Sequence, residues 1–195
     1  MVERSAPTIQ ADGVTLELSG NVMSVKDSGI TPAKLSFSPL KLKASAITTS
    51  ATTTVTFSEL DLNTDKVYVL WAQVEYNALN NWLRLFINND TTTTNYYTQL
   101  IWANSTSITG QISNDTLIGY TDTTACCLEC ILMKGEGSSK PKFQGRFNRN
   151  TGTEMVLYQF VGSYETAVSN VTQIDISHIS ANGIGANSKF YLLSL

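Results

Sequence analysis

Apolar and polar residues alternate with period two along most of this chain, the pattern of strands buried on one face. The strongest predicted strand is 66–76, Val-Tyr-Val-Leu-Trp-Ala-Gln-Val-Glu-Tyr after Lys66. Further strands are predicted at 82–87, 96–102, 116–120, 125–133, 142–147 and 155–161, separated by loops of Gly, Ser, Asn and Asp. Leu40, Leu42 and Ala44 alternate against Lys41 and Lys43, which predicts a strand with those three on one face. The Thr-rich stretch 46–57 is strand-compatible through its Val55–Phe57 alternation. Near the end, Ile174 and Ile176 mark one strand, and Phe190 and Leu192 mark another that is expected to fill a gap in a sheet. No helix longer than a turn is predicted. About ten alternating strands with regular turn signals indicate an all-β, two-sheet β-sandwich.

The front of the chain is a separate problem. Residues 14–19 alternate strictly, Gly20-Asn21 suits a two-residue hairpin turn, and pairing across it sets Leu18 opposite Met23 and Leu16 opposite Val25. A lone hairpin is marginal in water. Its apolar face must therefore dock on the main domain, on a copy of itself or on a larger partner. The sequence thus reads as a short N-terminal stem over 1–35 and a sandwich domain over 36–195. Candidate stem and oligomer contacts are Leu16, Leu18, Met23, Val25, Ile30 and Leu35.

Composition supports the all-β reading. The 25 Thr and 15 Asn favour pleated surfaces and turns, and they leave solubility to neutral hydrogen-bonding groups. Lys and Arg number 13 against 16 Asp and Glu, with no basic stripe, so no nucleic-acid partner is expected. No apolar run reaches the ~18–20 residues of a membrane span. The N-terminus lacks a signal-peptide core, so a cytoplasmic product is expected. Cys126, Cys127 and Cys130 are too few for a zinc site, with His178 far off in sequence. Neighbouring cysteines also bridge poorly. Cys126, Leu128, Cys130 and Leu132 share one strand face, which predicts reduced thiols buried in a core strand.

Chemistry is hard to find. A Ser-His-Asp site would need His178, yet Asp175 lies three residues away on the opposite strand face. No Gly-x-Ser-x-Gly elbow exists. The carboxylates show no pairing pattern of the kind glycoside hydrolysis needs. His178 reads as an ordinary surface or subunit-contact histidine, and no enzymatic activity, cofactor or metal is expected. Asn88-Asn89-Asp90 lacks the spaced ligands of a calcium loop and reads as a turn. Tyr96, Tyr97, Trp102 and Tyr120 lie near loops and are candidates for a glycan-facing surface, though they serve equally as core or subunit contacts.

Three segments carry a resemblance. The first is Val25-Lys26-Asp27-Ser28-Gly29-Ile30-Thr31-Pro32-Ala33-Lys34-Leu35. The second runs from Leu83-Arg84-Leu85-Phe86-Ile87-Asn88-Asn89-Asp90 through a Thr-rich loop to Asn95-Tyr96-Tyr97. The third is the ending, from Gly162-Ser163-Tyr164 through Ile174-Asp175-Ile176 to Ser188-Lys189-Phe190-Tyr191-Leu192. Together they resemble phage virion appendage proteins of the tail-fibre, head-fibre and capsid-decoration type. The resemblance implies a jelly-roll domain on a stem, a homotrimer, and attachment through the N-terminal segment to other virion proteins of capsid or tail. It also implies display on a particle assembled in the host cytoplasm, with a host surface glycan as a possible ligand. From another class, a free carbohydrate-binding module is the alternative.

Overall fold

The structure, a computed structural model, describes residues 16–19, 22–25, 40–104, 107–122 and 124–195. The chain divides into two units, Met1–Pro39 and Leu40–Leu195. In the first unit β1 (Leu16–Ser19) pairs antiparallel with β2 (Val22–Val25). Leu16 stands opposite Val25 and Leu18 opposite Met23, the register that the alternation predicts. Ile30 and Leu35 lie outside the described residues.

The second unit is a two-sheet, jelly-roll-like β-sandwich in which every strand pair is antiparallel. One sheet holds, in spatial order, β3 (Lys41–Ile47), β14 (Lys189–Ser194), β5 (Val67–Val74), β10 (Cys126–Met133), β11 (Lys142–Asn150), β12 (Met155–Tyr164), β7 (Tyr96–Ala103) and β8 (Ile108–Ser113). The other holds β4 (Thr54–Phe57), β13 (Ile174–His178), β6 (Trp82–Ile87) and β9 (Leu117–Tyr120). The one α-helix among the described residues is the single turn α1 (Leu62–Asp65), capped by the Asp61 carboxylate on the Asn63 and Thr64 amides.

The alternation decides which side chains fill the space between the sheets. Tyr68, Leu70 and Val74 of β5, Leu128 and Leu132 of β10, and Phe190 and Leu192 of β14 meet Leu83, Leu85, Ile174 and Ile176 of the smaller sheet in one core. Aromatic edges join the layers: Trp82 meets Tyr158 at 5.8 Å and Phe86 meets Tyr96 at 5.8 Å, both near perpendicular. Cys126 and Cys130 are buried in this core, and burial pushes both thiols well above their ordinary range. Cys127 points the other way and is exposed.

Two expectations need correction. Leu42 does not share a face with Ala44. The pairing of β14 with β3 shifts between Leu192 and Leu193, so that Leu192 opposes Ala44 while Leu193 opposes Leu42. Lys43 is thereby an extra residue in β3, a bulge that turns Leu42 outward, where it is 61% exposed. The second correction concerns His178, which is buried rather than superficial. Its Nε2 lies 2.8 Å from Thr121 Oγ1, whose hydroxyl proton goes to the Leu79 carbonyl at 3.0 Å. The ring's Nδ1 accepts from the Ser180 amide at 3.0 Å. A neutral ring thus has both nitrogens satisfied.

Burial holds the His178 pKa below its usual value. The unfolded chain takes up a proton near pH 6.5 and the folded chain resists until lower pH. The histidine's contribution is therefore fully present above about pH 6.5 and is lost as pH falls below it. His178 is the one histidine in the chain. Urea midpoints should decline from about pH 7.5 to pH 5.5 in the native protein, and a His178→Asn variant should show a flatter profile. Parallel slopes for the two proteins would refute this assignment.

Candidate functional site

The large sheet has a second face, turned away from the core, and its composition is unusual. In β5 the outward positions are Val67, Val69, Trp71 and Gln73. Their register neighbours on β14 and β10 include Tyr191, Leu193, Ile131 and Met133. A strand that is apolar on both faces is normally covered on both faces. Here the described residues of the second unit cover one, and Trp71 is 48% exposed, Met133 41% and Tyr191 39%. Toward the far edge, Leu157 and Val161 of β12 and Ile101 of β7 are also exposed. Strand β8 goes furthest, with Ile108 and Ile112 nearly free of their own domain.

Strand β11 separates these two apolar areas. Its outward side chains, Lys142, Gln144, Arg146 and Asn148, are all polar and exposed. Arg146 donates through Nη2 to Glu129 Oε2 at 2.8 Å and through Nε at 3.1 Å. Beside that pair a groove of about 420 Å³ is lined by Trp71, Gln73, Cys127, Asn148, Leu157 and Tyr191, among others. Trp71 and Tyr191 stand directly opposite each other across β5 and β14. This groove escapes a sequence reading because apolar residues occupy both parities of β5. Nothing in residues 67–74 alone says which parity faces inward.

The four aromatic candidates do not form one surface. Tyr96 is fully buried, stacked on Tyr164 at 4.8 Å, with its hydroxyl donating to the Asp90 carbonyl. Trp102 packs against the core beside Tyr158. Tyr120 lies edge-on to Trp82 at 5.1 Å, and the Arg149 guanidinium sits 4.8 Å above its ring. Tyr97 alone of the four is exposed, on the outer face near Ile112.

The Asn88-Asn89-Asp90 turn is a structural knot. Asn88 and Asn89 have φ of 53° and 60°, a conformation asparagine tolerates well. The Asn88 side-chain oxygen accepts from the Thr172 and Gln173 amides, tying β6 to the segment that leads into β13. Among the described residues no group of three His, Cys, Asp or Glu side chains is placed to hold a metal ion. No helix among them is long and apolar enough to cross a membrane. No protein-family model, no curated protein and no solved structure matches the chain.

Proposed function

We propose that the chain is a non-enzymatic structural protein of a phage particle, displayed on the particle surface as a homotrimer. Its place is either a tail fibre or receptor-binding tip, or a capsid decoration protein or head fibre. The N-terminal segment grips capsid or tail, and the sandwich is presented outward. The observation that favours an assembly protein is the apolar outer face of the large sheet. Contiguous exposed apolar patches of more than a few hundred Å² mark interaction sites, and this face carries two apolar areas, one around Trp71, Met133 and Tyr191 and one around Ile101, Ile108 and Ile112. The phage setting rests on the three resembling segments. The alternative is a free carbohydrate-binding module, for which Trp71 and Tyr191 beside Gln73 and Asn148 supply an aromatic platform with hydrogen-bonding neighbours.

The test is the solution mass of the full chain beside a chain starting at Leu40, together with mass spectrometry of purified particles from the source of this sequence. Trimers, and the chain found in particles at fixed stoichiometry, are expected. Gold-labelled antibody then distinguishes tail from head. A monomer that binds glycans and never co-purifies with particles would replace this reading with the carbohydrate-binding one.

A further inference from the structure

The two apolar areas on the outer face are unlike each other, and each lacks a cover among the described residues of its own domain. The first is centred on Leu42, Trp71, Met133 and Tyr191, carried by β3, β5, β10 and β14. It is broad and lies over the body of the sheet. The second is centred on Ile101, Ile108, Ile112 and Leu157, carried by β7, β8 and β12. It ends in a projecting strand.

Strand β8 is the informative element. Among the described residues it pairs with β7 alone, and its residues 108–112 are exposed on both faces. The positions on the core side of the sheet, Thr109 and Gln111, are polar, whereas Ile108 and Ile112 look outward at 79% and 73% exposure. This is the reverse of a strand that serves its own core. β8 also lacks the devices that keep an edge strand from pairing with other chains. It has no charge, no proline and no bulge. The opposite edge strand, β3, carries Lys41, Lys43 and a bulge.

We propose that β8 and its neighbouring isoleucines pack on the Leu42–Trp71–Met133 area of a second copy of this chain, in a head-to-tail contact that repeats around a closed ring. The inference deepens the assembly part of the function proposed above and rests on it: the sandwich faces, not the stem alone, hold the copies together. An interface between two different patches is heterologous, and such contacts close into rings when the rotation between copies allows. Each half-exposed large side chain offers on the order of 100 Å². The four named in each patch thus supply about 400 Å², and exposed neighbours on the same face, Ile47 beside the first and Tyr97, Met155 and Val161 beside the second, bring each toward the ~800 Å² per partner of a standard interface. Trp, Tyr and Met at the centre of the first patch are among the residue types enriched in such contacts.

The experiment uses two full-length variants altered only at exposed positions. Ile108→Lys/Ile112→Lys disables the projecting patch, and Leu42→Lys/Met133→Lys disables the receiving one. Native mass spectrometry and light scattering are run on the native chain, on each variant, and on a concentrated equimolar mixture of the two. Far-ultraviolet circular dichroism confirms that both variants fold. The native chain is expected to be a closed oligomer and each variant a monomer. The mixture is expected to contain a species of two chains, because one receiving and one projecting patch remain intact. Variants that keep the native mass overturn the inference while leaving the trimeric virion reading in place, with the stem as the assembling element. A variant that still dimerises alone overturns the head-to-tail geometry in favour of a symmetric contact. A mixture of folded chains that stays monomeric also overturns the inference. A native chain that is itself monomeric overturns both this inference and the trimer.

Discussion

Replacing Gly145 by alanine lowers the stability of the folded chain by about 3 kcal/mol or more, while Gly110→Ala changes it by about 0.5 kcal/mol or less. The difference lies in the space each glycine faces. On β11 and β12, Gly145 stands directly opposite Phe160, and Phe143 directly opposite Gly162. Each phenylalanine ring lies over the glycine across from it, a reciprocal pairing that fills the inner face without a Cβ at either site. A Cβ at 145 would overlap the Glu129 carbonyl oxygen and sit 2.6 Å from Phe160 Cζ and 2.9 Å from the Cys130 Cα. Two of those three are backbone atoms of β10, so relief requires the centre of the sheet to move. Gly110, on β8, has nothing nearer than 3.9 Å. Urea unfolding of both variants beside the native chain reads the contrast directly. Equal midpoints for the two would show that the Gly–Phe pairs are not close-packed.

Asp90→Ala is expected to cost about 3 kcal/mol at neutral pH, a large effect for a partly exposed loop residue. Its carboxylate accepts three hydrogen bonds, from Asn95 Nδ2 at 2.7 Å, the Tyr164 hydroxyl at 2.8 Å and the Thr92 amide at 3.0 Å. Truncation strands all three donors, and Tyr164 is a buried ring stacked on Tyr96. Desolvation pushes the carboxyl pKa up, but the hydrogen bonds from Asn95, Thr92 and Tyr164 outweigh it and hold the value at about 2. The unfolded chain protonates this group near 3.8, its ordinary value. Stability from the carboxylate is thus fully present above pH 3.8 and is lost as pH falls toward 2. The gap between native chain and variant should therefore narrow across that window. A gap that stays constant through acid titration would mean that the charge contributes nothing.

Most strands were legible because they alternate or, like β5, form an apolar run. β6 falls on residues 82–87 as expected, and β5, β7, β9, β10 and β13 lie where the periodicity puts them, with end shifts of a residue or two. β11 and β12 run three residues further than expected, β11 through the polar Asn148-Arg149-Asn150 and β12 through Gly162 and Ser163 to the buried Tyr164. β8 escaped prediction altogether. Its only apolar side chains, Ile108 and Ile112, flank a glycine, and neither belongs to the core that makes other strands readable. Leu42 was placed on the wrong face because one inserted residue reverses every later parity, and no residue type marks that bulge. His178 was misplaced for a different reason. β13 is an interior strand between β4 and β6, and Ile174, Asp175 and Ile176 are buried in succession, so polar character at 178 does not signal solvent. Tyr97 is exposed on the outer face, whereas Trp71 and Tyr191 sit on strands that carry apolar residues at both parities.

The strand order sets a schedule for making this protein. β3 bonds only to β14 among the strands of its sheet, joining Lys41 to Ser194. β4 likewise depends on β13, whose first residue is Ile174. A ribosome that has produced residues 40–173 has therefore made β3 and β4 without the strand either one pairs with, and has left β5 with an open edge. The meander of β10, β11 and β12 can form earlier, because its strands follow one another closely. The ring proposed above would have to wait for the last strand, since Tyr191 of the receiving patch belongs to it. Contacts this distant in sequence, Lys41 with Ser194 and Thr54 with Ser177, make the closing of both sheets a slow final step.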